Sequence, residues 1–234
     1  IIQGEYPDLL QKNSDCFFFQ RLTAGQATDL MLELVQTRLP QAYGYSPTED
    51  IQVITPSRKG VLGVVELNKQ LQEALNPPST STAEVKSVLY TFREGDKVMQ
   101  MKNNYDIIWH KEGENGTGIF NGDIGYLRTI NRQTQEVTAE FDGRFVTYAF
   151  DQLDQLELAY AITVHKSQGS EFQAVVIPLL GGFPRLYYRN LLYTAVTRAR
   201  RLLILIGSKN VIYQMVDNNR RMNRYTCLRD MLRR

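Results

Sequence analysis

The sequence predicts an α/β domain interrupted by a small β-barrel, and three observations carry that prediction. The first 90 residues alternate helix-period and strand-type patterns. From about Arg93 to Leu156 the chain turns to short strand-type runs separated by turn residues, with no helical period among them. After Ala159 the alternation of buried-type strands and helices resumes. Alternating strands and helices indicate a parallel sheet covered by helices, and clustered short strands indicate a small barrel. The composition agrees. A chain of 234 residues, 43% hydrophobic and 22% charged, is an ordinary globular one, which excludes collagen-like, low-complexity and disordered classes.

The elements follow in order. Thr23 and Gln26 make a capping-box pattern ahead of Leu30, Met31, Leu34 and Val35, so a helix is expected there, ending by Pro40. A strand over Ile51–Thr55 is closed by Pro56 and the turn-like Ser57-Arg58-Lys59-Gly60. Val64, Leu67, Leu71 and Leu75 mark a second helix, stopped at Asn76-Pro77-Pro78, and the Ser/Thr cluster at 79–82 is a loop. Within the barrel region the turn signals are Asn103-Asn104, Gly113 to Gly118, Asn121-Gly122-Asp123 and Asp142-Gly143. The last lies between Val137–Phe141 and Phe145–Tyr148 and is a hairpin signature. The glycine-rich 113–118 stretch precedes no helix and reads as a hairpin loop. Strands are then expected over 159–164, 174–180 and 202–206, with helices over 189–200 and 211–218.

Several function classes are bounded by what the sequence lacks. Its longest apolar run, Ala174 to Leu180, is far short of the roughly 18 residues of a membrane span. Cys16 and Cys227 stand far apart and only two histidines occur, so neither a zinc site nor a disulfide framework is expected, and a reducing cytoplasm is the simplest location. The chain opens on Ile1 with no basic leader and reads as a piece of something longer. The net charge is +2, but Arg198 to Arg234 carries +8 and the rest −6. Such a basic end either follows a phosphate backbone or forms a solvated helix face, and the solvated face is the plainer reading.

Three polar segments are expected beyond the carboxyl ends of the strands, where open α/β sheets bind ligands. They are Thr55 to Gly60, Thr163 to Phe172, and Tyr193 to Arg201. The second sets hydroxyls, an imidazole, an ammonium, an amide, a glycine and a carboxylate between two buried-type strands, a mixture suited to a phosphate- or sugar-rich ligand. On residue chemistry alone, plainer roles compete. Arg198 suits a helix C-terminus, Glu171 a cap, His165 a hydrogen-bonded core position, and Pro56 with Gly60 a simple turn.

The string TVHKSQGSEF followed by AVVIP (163–172, 174–178) resembles motif V of superfamily 1 helicases, and LLYTAVTRAR (191–200) resembles their motif VI. DIQVITPSRKG (50–60) is similar to a strand and loop of the second motor domain in the RecD-like branch. The opening IIQGEYPDL resembles the stretch after that branch's motif IV. The resemblance covers essentially the whole chain. It implies a RecA-like sheet at 1–92 and 157–234, domain 2A, with an SH3-like barrel, domain 2B, inserted at 93–156. It also implies an ATP-dependent helicase moving 5′→3′ on single-stranded DNA. Arg198 then matches the arginine finger, and a guanidinium suits that role by staying charged and gripping a phosphoryl group bidentately. Gln168, Gly169 and Glu171 match positions near the nucleotide, with Glu171 either accepting from the ribose or holding Gln168 and Arg198 in place. Thr163, His165 and Lys166 match positions facing the nucleic-acid backbone. Thr55 and Arg58 lie where a strand of this domain would meet DNA. In the insert, Lys97, Lys102, Asn103, Asn104, Tyr105 and Trp109 offer charge and stacking to a single strand, although such aromatics also fill small barrel cores. Arg200 and Arg201 receive no assignment.

No G-x-x-x-x-G-K-[ST] occurs, and no strand ends in an acidic pair such as Asp-Glu. The family carries these in its first motor domain, so ATP and Mg2+ are expected as cofactors of a full-length parent. The isolated chain is expected to have no metal site and no ATP hydrolysis. The expected partners are single-stranded DNA and an upstream RecA-like domain of the same polypeptide, with no membrane. The alternative class is a non-catalytic nucleic-acid or protein interaction module derived from a helicase domain.

Overall fold

The computed structural model describes residues 1–10, 15–182, 184–219 and 231. The first part of the chain forms strand β1 (Cys16–Gln20), helix α1 (Ala24–Glu33), a π-helical turn (Leu34–Arg38), helix α2 (Leu39–Tyr43), strand β2 (Ile51–Thr55) and helix α3 (Val64–Leu75). A short ribbon, β3 (Glu84–Lys86) and β4 (Thr91–Arg93), leads into a run of strands. These are β5 (Lys97–Gln100), β6 (Asn104–Lys111), β7 (Glu114–Ile119), β8 (Ile124–Asn131), β9 (Glu136–Phe141), β10 (Arg144–Ala149) and β11 (Leu156–Leu158). Then come β12 (Ala161–Thr163), β13 (Phe172–Leu179), α4 (Arg189–Val196), β14 (Ala199–Gly207) and α5 (Lys209–Asp217).

Two sheets result. The first is wholly parallel, in the order β1-β14-β13-β2-β12, and its strand β2 is buried throughout. Burial on both faces is why β13 reads as a continuous apolar run over Ala174–Leu179 rather than an alternating one. The second is antiparallel, in the order β11-β5-β8-β9-β10-β6-β7. It curls on itself: Tyr148 Oη on β10 donates to Gln100 Oε1 on β5 at 3.0 Å, although β8 and β9 lie between those strands. The Asp142-Gly143 hairpin forms as expected, with both turn residues at positive φ, 52° and 77°.

A buried polar seam joins the two sheets. Asn68 of α3 donates to the carbonyls of Leu158 and Ala161 at 2.7 and 2.9 Å and accepts from the Ala161 amide at 2.7 Å. It thereby satisfies the backbone where the chain leaves the curled sheet and enters the parallel one. The fully buried Asp96 carboxylate accepts from Gln72, Asn76, Tyr160 and the Arg93 amide. Burial pushes its pKa up, and those four donors oppose the rise. Lys97 on β5 reaches across to Gln52 on β2, its Nζ 2.9 Å from Oε1, while Gln52 Nε2 donates to the carbonyls of Ala159 and Tyr160.

Several sequence expectations are corrected here. The first helix does not end by Pro40. The π-helical turn, with the Leu39 amide bonded to the Leu34 carbonyl, carries the helical path through the proline, and Gly44 ends it in the left-handed conformation. The capping box is half formed: Thr23 Oγ1 accepts from the Gln26 amide, but Gln26 Oε1 accepts from the Leu22 amide. The 113–118 stretch is strand β7 rather than a loop, turning only at Glu112-Gly113. Gly116 lies directly against the Trp109 indole, where an added Cβ would stand 2.3 Å from the ring. The helix expected to reach Arg200 stops at Val196, and β14 already begins at Ala199. β1, which no sequence pattern marks, pairs with β14. Cys227 and most of the Arg-rich end lie outside the described residues. Among the described residues no helix is long and apolar enough to cross a membrane.

Two stability measurements follow from the seam. Asn68→Ala strands three buried backbone groups and should lower the unfolding free energy by about 2–4 kcal/mol in urea titration, given the cost of orphaned buried polar groups; a loss below about 1 kcal/mol would contradict its role. Burial pushes the Lys97 ammonium down to about 7, with Glu49 and Asp50 opposing. The unfolded chain holds that proton up to about pH 10.4, so the native state gains stability as pH rises from about 7 toward 10. Lys97→Met should remove this slope; identical pH dependence of the two proteins would refute it.

Candidate nucleotide and nucleic-acid site

The residues singled out by sequence fall at two ends of the parallel sheet. Thr55 and Thr163 are register partners at the carboxyl ends of β2 and β12. The Arg198 carbonyl accepts from the Phe172 amide, at the amino ends of β14 and β13. The third polar segment is thus corrected: Tyr193 to Arg201 enters β14 from its amino end. Eight residues, 164–171, connect the two ends. Parallel strands are usually joined by crossovers of a dozen or more residues, most often helical. This connection is shorter and carries no helix.

At the carboxyl end, Thr55 is buried and its Oγ1 donates to the Leu62 carbonyl at 2.6 Å, so its hydroxyl shapes the 56–63 loop instead of facing solvent. Arg58 in that loop makes a two-pronged pair with Glu157, which comes from β11 of the curled sheet. Thr163 Oγ1 accepts from the Lys166 amide at 3.3 Å, folding the connection into its first turn. Ser167 is buried and donates to the Val164 carbonyl. Lys166 extends to the other sheet, donating to Asn121 Oδ1 and, at 3.4 Å, to the Met101 carbonyl. Partial burial pushes its pKa down; Arg58 adds to this and Glu157 opposes it. Asn103 stands beside it, its Oδ1 accepting from the Asn121 amide at 2.9 Å. His165 is exposed, which removes the core alternative.

Gln168 and Gly169 form the exposed crest of the connection. Gly169 has φ +90°, and nothing lies within 4 Å of where a Cβ would stand, so backbone conformation demands the glycine there, not a close neighbour. At the amino end, Arg198 is held by uncharged oxygens alone. Its Nε donates to the Thr194 carbonyl, one terminal nitrogen to the Ser170 carbonyl and the other to Thr197 Oγ1, each at 3.1 Å. Among the described residues no carboxylate forms an ion pair with it. Glu171 does not steady Gln168 or Arg198; it pairs instead with Arg200, at 3.1 Å.

In the insert, Lys97 is buried and is removed as a surface contact, Asn104 is engaged by Gln155, and Trp109 packs on Gly116. Lys102 is exposed and paired with Asp154, whereas Asn103 and Tyr105 remain at the surface. Sequence reasoning missed Glu157, Asn121, Ser170 and Arg200. Asn121 carries a signal, its Asn-Gly-Asp run, but that run by itself says only that the chain turns. Ser170 acts through its carbonyl, which no side-chain pattern announces.

Comparison of the chain with known proteins points to a family. Residues 67–141 match the SH3 domain of ATP-dependent RecD-like DNA helicases, and residues 158–206 match the UvrD-like helicase C-terminal domain. The ATP-dependent RecD2 DNA helicase of Deinococcus radiodurans is 36% identical over 78% of this chain and 23% of its own length. The RecBCD enzyme subunit RecD of Mycolicibacterium smegmatis is 28% identical over 79% of this chain and 30% of its own. The chain belongs to the RecD-like superfamily 1 helicases, as a C-terminal part. It spans less than a third of the length of either of these curated relatives. A crystal structure of Pif1 helicase from Bacteroides in complex with ADP-AlF3 and ssDNA superposes with a TM-score of 0.50 at 20% identity. The match covers 89% of this chain and 49% of the Pif1 chain, and it is a likeness of fold.

The Glu171–Arg200 pair is more than half exposed on both sides. Glu171→Gln should therefore change the unfolding free energy by less than about 1 kcal/mol. A larger loss by thermal melting would show that the pair secures the fold rather than the site.

Proposed function

We propose that this chain supplies the second motor domain (1–92 and 157–234) and its barrel (93–156) to an ATP-dependent helicase that moves 5′→3′ on single-stranded DNA. The observation that carries the reading is the eight-residue connection. It ties a guanidinium held only by neutral oxygens at one end of the sheet to a polar cluster at the other. Arg198 suits a phosphoryl group: no counter-charge blunts it, and its fork matches two phosphate oxygens. Among the described residues no cluster of His, Cys, Asp or Glu is arranged to hold a metal ion, and the sequence lacks a phosphate-cradling glycine loop with its lysine. The Mg2+ ligands and the cradle therefore belong, on this reading, to an upstream RecA-like domain, and the chain alone hydrolyses no ATP.

Bound ATP supplies the phosphoryl transfer; the residues of this chain orient and transmit. Thr194 and Thr197 aim Arg198, and Gln168, Gly169 and Glu171 border the nucleotide. A guanidinium that turns toward a phosphate gives up the Ser170 carbonyl, loosening the amino end of the connection. The carboxyl end is anchored through Thr163 and Lys166, so the displacement is felt where Thr163, His165, Lys166, Arg58 and Asn103 follow the backbone of a single strand. Hydroxyls and cations suit such sequence-independent contact. Thr55 serves by holding the 56–63 loop.

The test uses the full-length protein carrying this chain. Arg198→Ala should leave single-stranded DNA affinity within about twofold while lowering DNA-stimulated ATP turnover about a thousandfold, the scale on which arginine fingers act. Retained turnover, or equal loss of binding and turnover, overturns the assignment.

A further inference from the structure

Two exposed aromatic rings on the curled sheet belong to no core. Tyr105, 64% exposed, and Phe120, 42% exposed, meet edge to face, with centroids 5.7 Å apart and planes at 68°. They come from different parts of the insert, the start of β6 and the turn before β8. Polar groups fix both. Asn103 Nδ2 donates to Tyr105 Oη at 3.0 Å, and Asp123 Oδ2 accepts from the Phe120 amide at 3.1 Å. The same Asn103 accepts from the Asn121 amide, and Asn121 Oδ1 takes the Lys166 ammonium. One hydrogen-bonded chain thus runs from the connection of the parallel sheet, through Lys166, Asn121 and Asn103, to the tyrosine hydroxyl.

Fold stability does not call for this arrangement. A tyrosine left mostly in water gains little by burial, and ordering it costs rotamer entropy. What the arrangement provides is a preset aromatic ring tied through Asn103 and Asn121 to an ammonium that, among the described residues, forms no ion pair with a carboxylate. A flat apolar face tied to a cation is complementary to an unpaired nucleobase and its own phosphate, since every base offers a π-face and stacking tolerates any sequence. We infer that the Tyr105 ring, braced edge-on by Phe120, is a stacking platform for one base of a single strand, whose adjoining phosphate lies toward Lys166. The inference rests on the nucleic-acid reading above and adds a base contact to its backbone contacts. Because the platform is linked to Lys166 by hydrogen bonds, it is held in register with the connection.

The experiment measures binding of the full-length protein to oligothymidylate and to the same strand with every base removed. Wild type should prefer the thymidylate strand about tenfold, and Tyr105→Leu should bind thymidylate about tenfold more weakly than wild type. Its affinity for the abasic strand should stay within about twofold of wild type, and the salt slope should not change, because phosphate contacts are untouched. Tyr105→Phe keeps the ring and should lose at most about threefold. Both positions are exposed, so folding is checked by comparing melting curves. Tyr105→Leu binding thymidylate as tightly as wild type overturns the platform while leaving backbone binding intact. Equal weakening on both strands overturns it as well, by pointing to a backbone contact. A wild-type protein that binds neither strand removes the nucleic-acid reading itself.

Discussion

The arrangement depends on how a chain can leave one sheet, build another and return without stranding its own backbone. Residues 158–161 pass from the curled sheet straight into the parallel one, and all four are buried. Buried peptide groups need hydrogen bonds. Asn68 from α3 and Gln52 from β2 take the place of a neighbouring strand, and Asp96 gathers four donors from α3 and its end, the ribbon and Tyr160. A satisfied polar junction in a low-dielectric interior is both strong and geometrically selective, so the insert has one docking angle rather than several.

The site inherits that angle. Arg58 needs Glu157 from β11 of the curled sheet, and Lys166 needs Met101 and Asn121 from the insert. Neither loop of the parallel sheet closes its own polar inventory. Rotating the insert by a small angle would separate these partners and shear the apolar cluster that runs from Leu67 and Leu71 of α3 to Phe92 and Val98. The polar cluster is therefore a property of the junction as much as of the loops that carry it, and the neutral cradle of Arg198 is the part that the parallel sheet and its helix complete by themselves.

Much of the fold was legible because its signals are local. The Asp142-Gly143 hairpin, the α3 stripe of Val64, Leu67 and Leu71, and the apolar run of β13 each declare themselves within a dozen residues. The failures have the opposite character. Pro40 passes inside a helix because a π turn makes room for it, and Gly116 is a strand residue because Trp109, seven positions earlier, lies against it. Cys16–Gln20 shows no alternation, being a strand whose ladder partner, β14, is nearly at the far end of the chain. At the site, motifs single out residue types such as Arg198, Thr163 and Lys166. The partners that fix the neighbouring side chains, Glu157, Asn121 and Arg200, are distant in sequence or follow no pattern. Lys97 illustrates the limit of charge as a guide: a lysine on a strand reads as surface, yet burial behind Gln52 and the Phe172 ring makes it interior.

The strand order also constrains the timing of assembly. Among the described residues, β1 pairs only with β14, while β2 pairs with β12 and β13. Apart from β13 with β14, every ladder of the parallel sheet therefore joins a segment made before the insert to one made after it. The curled sheet, by contrast, pairs entirely within residues 97–158. Chains grow at roughly 5–20 residues per second during synthesis. On that clock β1 and β2 wait several seconds with apolar faces uncovered, and the curled sheet is complete before either finds a partner. Because the curled sheet brings residues 97 and 158 together, it shortens the loop that β2 and β12 must close, and so lowers the entropy cost of starting the parallel sheet. The element that looks like an interruption of the motor domain in sequence is, in the order of events, the staple that gathers its two halves.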